Sequence, residues 1–236
     1  MAPKTRGGAS PKSRTSRLTQ VLVAVGILVG LLAPVVYLLE QNLESFYIFS
    51  IEELHDVSKR AVAAHGNDTA AMVNYIVAEL DKNHPSHVNA RWDDRSEWFF
   101  NNAGGAMGGM YIIHASITEY LIIFGTAVGT EGHSGRHTAD DYFYILTGEE
   151  WAYVPGEFRP EVYTPGTVHH LPRGAVKQYR MPDKCFALEY ARGWIPPMLF
   201  FGFADGFFST LDFPTLWRTT YHTAREMGAN LLVGKF

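Results

Sequence analysis

The sequence predicts an α+β protein with a compact antiparallel β-barrel, flanking helices, one N-terminal transmembrane helix and C-terminal helices at the membrane surface. Three features support this architecture. Residues 18–39 carry no charge, residues 50–82 show helical periodicity, and from Trp98 onward short apolar runs alternate with glycine, asparagine and proline. Several short strands at such spacing are typical of a small barrel or jelly roll.

The uncharged segment 18–39 is long enough to be a membrane anchor. At about 1.5 Å per residue, a helix of this length spans the roughly 30 Å of bilayer hydrocarbon. The preceding tail, residues 1–17, is basic, and the next basic residue after the segment is Lys59. The positive-inside rule therefore predicts a cytosolic N-terminus and a lumenal or extracellular barrel. A cleaved signal peptide is the alternative, but the run is long for one and no small-x-small cleavage site follows it.

Charge argues against a nucleic-acid-binding protein, and cysteine content excludes a disulfide-stabilised one. The net charge is −4 and the basic residues concentrate in the N-terminal tail, which argues against nucleic-acid binding. Cys185 is the single cysteine, so no intrachain disulfide forms and stability depends on packing and on oligomerisation. The tripeptide Asn67-Asp68-Thr69 is a glycosylation acceptor if the barrel is lumenal.

Residues 40–97 form a helical segment between the anchor and the barrel. Ser50 and Glu53 have the spacing of a capping box, which predicts a helix from residue 51 to about residue 64. A second helix is predicted over residues 69–82, with apolar residues at helical spacing.

The barrel is predicted over residues 98–193 and consists of short strands. The predicted strands are Met110–Ser116, Glu119–Thr126, Tyr142–Leu146, Trp151–Val154, Glu161–Tyr163, Val176–Met181 and Phe186–Tyr190. Residues 194–236 then return to helical patterns over Pro196–Phe208 and Pro214–Leu232. The first of these is apolar on all sides and too short to span a bilayer, so we expect it to lie in the membrane surface or to cover the barrel mouth. Ordinary burial in the core is the alternative.

Glu189 is an acid within an apolar and aromatic strand. Alternation places Phe186 and Leu188 on one face of the strand and Ala187, Glu189 and Ala191 on the other. Burying an unpaired carboxylate costs several kcal/mol, so this group is neutral, paired or exposed to solvent. The small neighbours favour an interior acid with space for a ligand, and an outward-facing acid on the barrel wall is the alternative.

Residues 132–149 and the turn at residues 165–169 have the spacing of the two motifs of cupin barrels. His137, Asp141 and His169 then lie near the positions of the usual cupin metal ligands, and two imidazoles with one carboxylate suit a divalent ion. However, Gly135 replaces the first histidine of the usual His-x-His element. We therefore predict no metal, and structural roles for the histidines.

A barrel of this kind brings Asp141 and Glu189 to one interior cavity. Two unit charges about 4 Å apart repel by roughly 4 kcal/mol at an effective dielectric near 20, or about three pKa units. One proton then stays on the pair at neutral pH, which supplies an acid beside a base. Asp140 is the competing candidate, since adjacent strand residues face opposite ways. The further residues expected at the substrate site are Tyr120, Phe143, Trp151, Tyr190, His169 and Asp140.

A hydrolase is disfavoured by the sequence. His114 and Ser116 have ordinary strand spacing, and no Gly-x-Ser-x-Gly elbow is present. Glu119 is expected to pair with Arg136 or to cap a turn.

Several longer runs resemble one membrane-protein family, which contains fungal sterol Δ8–Δ7 isomerase and the sigma-type non-opioid receptor. The resemblance extends from the anchor to the C-terminus, and the later runs are closer to the fungal enzyme. The matching runs are Asn101–Gly105, His114–Ser116, Glu119-Tyr120, Phe124–Ala127, Gly132–Phe143, Glu189-Tyr190, Arg192–Pro196, Phe208–Thr210 and Asn230–Phe236.

The resemblance implies a single-pass endoplasmic reticulum protein with a cupin-like barrel around a hydrophobic ligand, and a trimer as in the receptor branch. It also implies that Glu189 faces the ligand with support from an aspartate. Ungapped alignment puts that aspartate at Phe143, and we transfer its role to Asp141, two residues earlier on the same strand face. Tyr120 matches a pocket tyrosine.

The implied reaction moves a sterol double bond from C8=C9 to C7=C8 in ergosterol biosynthesis. Glu189 and Asp141 are the predicted catalytic acids, and such a shift needs proton transfer without a redox cofactor or metal. Lipophilic amines are expected to bind as mimics of the cation. The alternatives are a sigma-like receptor without turnover and a metal-dependent cupin enzyme.

Overall fold

The structure is a computed structural model that describes residues 14–236, with side chains from Arg17 onward. It divides into two compact units, of which the first ends at Ser45 and the second comprises Phe46–Phe236. Each unit has its own internal contacts.

The first unit contains helix α1, Arg14–Gln41. Within it, Arg17–Gln41 has the length and composition of a membrane-spanning helix and includes all of the predicted segment 18–39. Twenty-five helical residues extend about 37 Å, which exceeds the hydrocarbon thickness of a bilayer. The last residues of the predicted basic tail, 14–17, are therefore helical, and the rest of that tail lies outside the described residues.

Two helices, α2 (Ile51–His65) and α3 (Thr69–Asn83), begin the second unit. The predicted capping box forms in part, because Ser50 Oγ accepts a hydrogen bond from Glu53 N at 3.0 Å. Asp68 caps α3 in the same way, accepting from Ala71 N at 3.1 Å. Both helices therefore begin and end within two residues of the predicted bounds.

Ten strands follow. They are β1 (Phe99–Ala103), β2 (Ala106–Ala115), β3 (Glu119–Thr126), β4 (Thr130–His133), β5 (Ala139–Thr147), β6 (Glu150–Tyr153), β7 (Glu161–Tyr163), β8 (Val168–Leu171), β9 (Gln178–Met181) and β10 (Cys185–Gly193). The sequence prediction missed β1, β4 and β8. The remaining seven match predicted strands, with β2, β5 and β10 longer than expected.

The strands form two antiparallel sheets. The larger has the order β1-β2-β3-β10-β5-β8 and the smaller the order β4-β9-β6-β7. In the large sheet, β10 pairs with β3 on one side and with β5 on the other. The predicted α+β class and the barrel-type strand arrangement are therefore confirmed.

The large sheet has one face toward α2 and α3 and the other toward a cavity. Its helix-facing side contributes Tyr111, Ile123, Tyr144 and Leu188 to a core shared with these helices. Alternate residues of the same strands, such as Ile122, form a second apolar cluster on the opposite side. The period of two along each strand thus separates a folding core from the wall of a binding cavity.

Helices α4 (Ile195–Asp205) and α5 (Phe213–Leu232) complete the second unit, joined through a π-helical turn at Gly206–Thr210. Both helices contact β1, and residues of both line the cavity. Their outer sides expose large apolar groups, among them Phe200 of α4 at 74% and Trp217 of α5 at 68%. Both helices therefore border the cavity, and covering the barrel mouth is one of the two placements expected for residues 196–208.

A buried ion pair joins β3 to residue 235. Lys235 Nζ lies 2.7 Å from Glu119 Oε2, and neither side chain is more than 5% exposed. Glu119 also accepts hydrogen bonds from Phe49 N and from the Tyr190 hydroxyl. Our expectation that Glu119 pairs with Arg136 was wrong, because Arg136 donates instead to the carbonyl of Gly174.

Candidate active site

A cavity lies between the inner side of the large sheet and helices α4 and α5. Its empty space, counted together with the solvent at its open mouth, is about 980 Å³. The wall is mostly apolar. The residues that matter for its chemistry are Met110, Tyr120, Ile122, Phe124, Asp141, Phe143, Tyr179, Glu189, Met198, Leu199, Phe201 and Leu216.

Glu189 projects from the middle of β10 into this cavity. Phe143 lies opposite it on β5 and Ile122 opposite it on β3. Ala187 and Ala191 are on the same side of the strand, as the alternating pattern predicted, and both are buried. The surface that Glu189 exposes therefore opens into the cavity.

Asp141 projects into the same cavity from β5. It lies opposite Ala191, which is two residues along β10 from Glu189, and it is 2% exposed. Asp140 faces the other way, where its Oδ1 is 2.9 Å from His170 Nε2 and accepts from Arg173 N. The choice that the sequence left open is resolved in favour of Asp141, because adjacent strand residues face opposite sides.

Both cavity carboxyls are shifted toward their protonated forms. Burial, together with the negative charge of Glu150, raises the pKa of Asp141 to about 7. Burial raises the pKa of Glu189 well above its usual range, and the charges of Asp141 and Glu150 add to this effect. Desolvation disfavours an ionised carboxyl, and a neighbouring charge of the same sign disfavours it further. At neutral pH the pair therefore holds at least one proton beside a group able to accept one.

Two of the predicted binding residues line the cavity next to these acids. Phe143 lies directly across the sheet from Glu189. The Tyr120 hydroxyl lies 3.1 Å from Thr223 Oγ1 of α5, and burial raises the pKa of this phenol. Tyr120 thus stays neutral and connects the sheet to the helix that covers the cavity.

Two other predicted residues, Trp151 and Tyr190, do not face the cavity, which corrects our expectation. Tyr190 is on the helix-facing side of β10, where its hydroxyl donates to Glu119 Oε1 at 2.7 Å. The Trp151 indole donates to Glu149 Oε2 at 3.0 Å, on the outer side of β6. Strand alternation is the cause, since each follows immediately after a residue that faces inward.

His169 is buried behind the cavity wall. Its ring stacks on Phe143 and Tyr163 at centroid distances of 5.8 Å and 4.5 Å. Its Nδ1 lies 2.8 Å from Glu150 Oε1, and both side chains are 1% exposed. Sequence reasoning missed Glu150. The alternation of side chains along β6 could have identified it. Glu150 and the buried Ala152 point to the same face of the strand, and Trp151 points to the opposite face.

The three residues at cupin metal-ligand positions do not converge. Within residues 17–236 there is no group of three or more histidine, cysteine or acidic side chains that is placed to hold an ion. His137 Nε2 instead lies 2.7 Å from the carbonyl of Ser134. Gly135 has a φ of +89°, and a Cβ there would lie 2.2 Å from the His137 ring. A histidine at position 135 would therefore require a strained backbone and a shift of the His137 ring.

The fold and the site together define a small barrel protein whose interior is a largely apolar cavity lined by two carboxyls. The chain belongs to the family described as ERG2 and Sigma1 receptor like protein, whose model matches residues 26–235. It is 72% identical over 210 residues to the C-8 sterol isomerase of Neurospora crassa, covering 89% of this chain and 81% of that protein. It is 64% identical over 236 residues to the C-8 sterol isomerase ERG2 of Gibberella zeae, covering 98% and 99%.

Among solved structures, the chain is similar to an RmlC-like cupin from Shewanella frigidimarina. The two share 14% identity with a TM-score of 0.37, over 48% of this chain and 98% of the other.

Proposed function

We propose that this protein is a C-8 sterol isomerase that moves the C8=C9 double bond of a sterol to C7=C8, as in ergosterol biosynthesis. The observation that carries the proposal is the pair of carboxyls, Asp141 and Glu189, on one side of neighbouring strands in an apolar cavity. High identity to C-8 sterol isomerases over nearly the whole chain supports the same reaction.

The reaction requires one proton delivered and one removed. One carboxylic acid protonates C9 of the double bond, which leaves a tertiary cation at C8. The other group, as a carboxylate, removes a proton from C7, and the C7=C8 double bond forms. The raised pKa values of Asp141 and Glu189 supply an acid and a base within the same pH range.

The cavity wall favours the cationic intermediate. A desolvated site strengthens the attraction between a carboxylate and a developing cation, and aromatic faces add to it. Phe143, Tyr120 and Tyr179 are aromatic residues that line the cavity with the two acids. A lipophilic amine of sterol-like shape carries a permanent charge near the position of this cation, so we expect such amines to inhibit competitively.

The sterol is expected to reach the cavity from the bilayer. Helices α4 and α5 expose apolar side chains on their outer sides, and the helix Arg17–Gln41 has the properties of a membrane span. We propose an endoplasmic reticulum location, a cytosolic N-terminus and a lumenal barrel. Protease treatment of sealed microsomes tests this orientation, since a lumenal barrel resists digestion until detergent is added. Digestion of the barrel in sealed vesicles would indicate the opposite orientation, with the barrel in the cytosol.

The decisive test is turnover by purified full-length protein of a Δ8 sterol, analysed by gas chromatography and mass spectrometry. Glu189→Gln keeps the side-chain shape and removes the acid, so turnover should fall by about 10²–10⁴-fold. The matched control is Glu157→Gln, at an exposed position away from the cavity, which should keep full activity. Normal turnover by Glu189→Gln would remove this residue from the mechanism.

The same purified protein distinguishes an isomerase from a receptor without turnover. A sigma-like receptor binds lipophilic amines without converting sterol, so wild-type protein that binds an amine but leaves the Δ8 sterol unchanged would support it. Turnover in heavy water adds a second check, because a proton delivered to C9 from solvent-exchanged acid leaves deuterium in the product. A product without deuterium would overturn the protonation step.

We propose further that the protein is a homo-oligomer, with a trimer expected from its resemblance to the receptor branch. Mass measurement by light scattering in detergent tests this, and a monomeric mass at the concentrations that support turnover would contradict it.

A further inference from the structure

A buried hydrogen-bonded pair, Glu150 and His169, joins the two sheets behind the cavity wall. Glu150 belongs to β6 in the small sheet and His169 to β8 in the large sheet. Their side chains meet at 2.8 Å between Oε1 and Nδ1, with 1% exposure each. The pair is separated from solvent and lies against Phe143, the residue opposite Glu189.

The pair is not fully satisfied by hydrogen bonds. Glu150 Oε2 and His169 Nε2 are buried and have no hydrogen-bond partner among residues 17–236, and the same is true of Asp141 Oδ1. A buried polar atom without a partner has lost its hydrogen bonds to water and gained none in return, so such a cluster opposes stability. An apolar pair of the same volume would pack here without that cost. The cluster is therefore better explained by the chemistry of the site than by folding.

We propose that the Glu150–His169 pair is a positioning element of the isomerase site: it fixes one negative charge in the barrel wall and so sets the pH range in which Asp141 and Glu189 share a proton. This inference rests on the proposed function. The imidazole donates from Nδ1 to Glu150 and keeps that carboxylate in place, and the carboxylate acts on the two cavity acids through space.

The other ionisable groups around the pair do not compete for this role. Tyr163 and Tyr179 from the small sheet and Cys185 from β10 face Glu150, and burial raises the pKa of each, to about 12 for the Cys185 thiol. These three groups are therefore neutral near pH 7. Glu161, which is close to His169, is held in an ion pair with Lys177 and its pKa is lowered. Asp141 and Glu189 are the groups on which the Glu150 charge acts in the working pH range.

Glu150→Gln tests the inference in full-length protein. Loss of the negative charge lowers the pKa of both cavity acids, so both limbs of the kcat/KM profile against pH should move to lower pH. We expect a shift on the order of one pH unit from the loss of one neighbouring negative charge. Glu149→Gln is the matched control, because the adjacent acid is exposed on the other side of the strand and should leave both limbs in place.

Two substitutions of His169 distinguish an electrostatic role of the pair from a role in packing alone. His169→Gln keeps a donor toward Glu150 and should retain the wild-type limbs. His169→Phe removes the donor that holds the Glu150 carboxyl in place, so the limbs should move as in Glu150→Gln. If the pair were purely structural, these substitutions would lower the melting temperature and reduce activity by the same factor at every pH. Limbs that stay in place in both Glu150→Gln and His169→Phe would overturn the inference.

Infrared titration of the carboxylic-acid C=O stretch gives a readout that needs no turnover. The protonated carboxyl bands of Asp141 and Glu189 should titrate at lower pH in Glu150→Gln than in wild type. Protein that fails to convert any Δ8 sterol would remove the proposed function, whereas unchanged titration in Glu150→Gln would remove this inference alone. If Glu150→Gln does not fold, the two His169 variants carry the same comparison.

Discussion

Asp141 and Glu189 face one cavity from adjacent strands and are offset by two residues: Glu189 is opposite Phe143, and Asp141 is opposite Ala191. Diagonal neighbours on one face of an antiparallel sheet are about 7–8 Å apart at Cα, and long side chains bridge that distance. The offset leaves each carboxyl its own approach to a flat ligand while keeping the two within electrostatic reach of each other.

Asp141→Asn and Asp140→Asn form a matched pair for activity. They change adjacent residues in the same way, but only Asp141 faces the cavity. We expect Asp141→Asn to lower kcat/KM for a Δ8 sterol by about 10²–10⁴-fold, as for loss of a general acid or base, and Asp140→Asn to stay near wild type. Steady-state assays at several pH values measure both. Equal effects of the two substitutions would contradict the assignment of Asp141.

The same aspartate should destabilise the folded protein above neutral pH. Its pKa is 3.8 ordinarily and about 7 in the fold, so the native state binds more protons between these values. Stability therefore falls as pH rises through this window. Asp141→Asn removes the penalty and should raise the free energy of unfolding at pH 8 by on the order of 2–4 kcal/mol.

Denaturant titrations of wild type and Asp141→Asn at pH 4 and pH 8 measure this difference. The gap between the two proteins should be small at pH 4, where the aspartate is protonated in both states, and largest at pH 8. A gap that does not depend on pH would show that burial does not shift this group.

The Lys235–Glu119 ion pair should be a large contributor to stability. Lys235→Met leaves the Glu119 carboxylate buried without its cation, and breaking one partner of a buried pair costs about 3–5 kcal/mol. Lys184→Met, at an exposed lysine, is the control and should change stability by less than about 0.5 kcal/mol. Chemical unfolding gives both values. A double substitution with Glu119→Gln should recover part of the loss, because no unpaired charge then remains.

The Tyr120–Thr223 hydrogen bond should hold α5 over the cavity. Tyr120→Phe and Thr223→Val each remove this bond, and each should cost about 0.5–1.5 kcal/mol. Hydrogen exchange of α5 amides should accelerate in both variants. The double variant should cost much less than the sum of the two, since both changes remove the same interaction. Additive costs would indicate that the two groups act independently.

The sequence predicted the strands and helices whose patterns are locally encoded. Ser50 and Asp68 mark the helix starts through their side-chain caps, and alternation in β10 correctly placed Glu189 on the side opposite Leu188. The missed strands lack such a signal. In β8, for example, His169 and His170 are both polar, although one is buried and the other exposed.

The site was harder to predict, because it depends on which side of each strand faces inward. Trp151 and Tyr190 are aromatic, as cavity residues often are, but their positions along the strands turn them away from the cavity. Glu150 is acidic, as exposed residues often are, but its position turns it into the barrel. The partner of Glu119 could not be read from the chain either, because it lies 116 residues away at Lys235. Tertiary contacts decide these cases over local pattern.

The two faces of the large sheet share one backbone, but their side chains have different roles. Residues that pack on α2 and α3 determine whether the chain folds, and the alternate residues determine what the cavity accepts. Substitutions in the two sets should therefore segregate in a saturation mutagenesis screen, one set reducing protein abundance and the other altering sterol conversion at normal abundance. Such a division leaves substrate range free to diverge within the family without loss of the folded barrel.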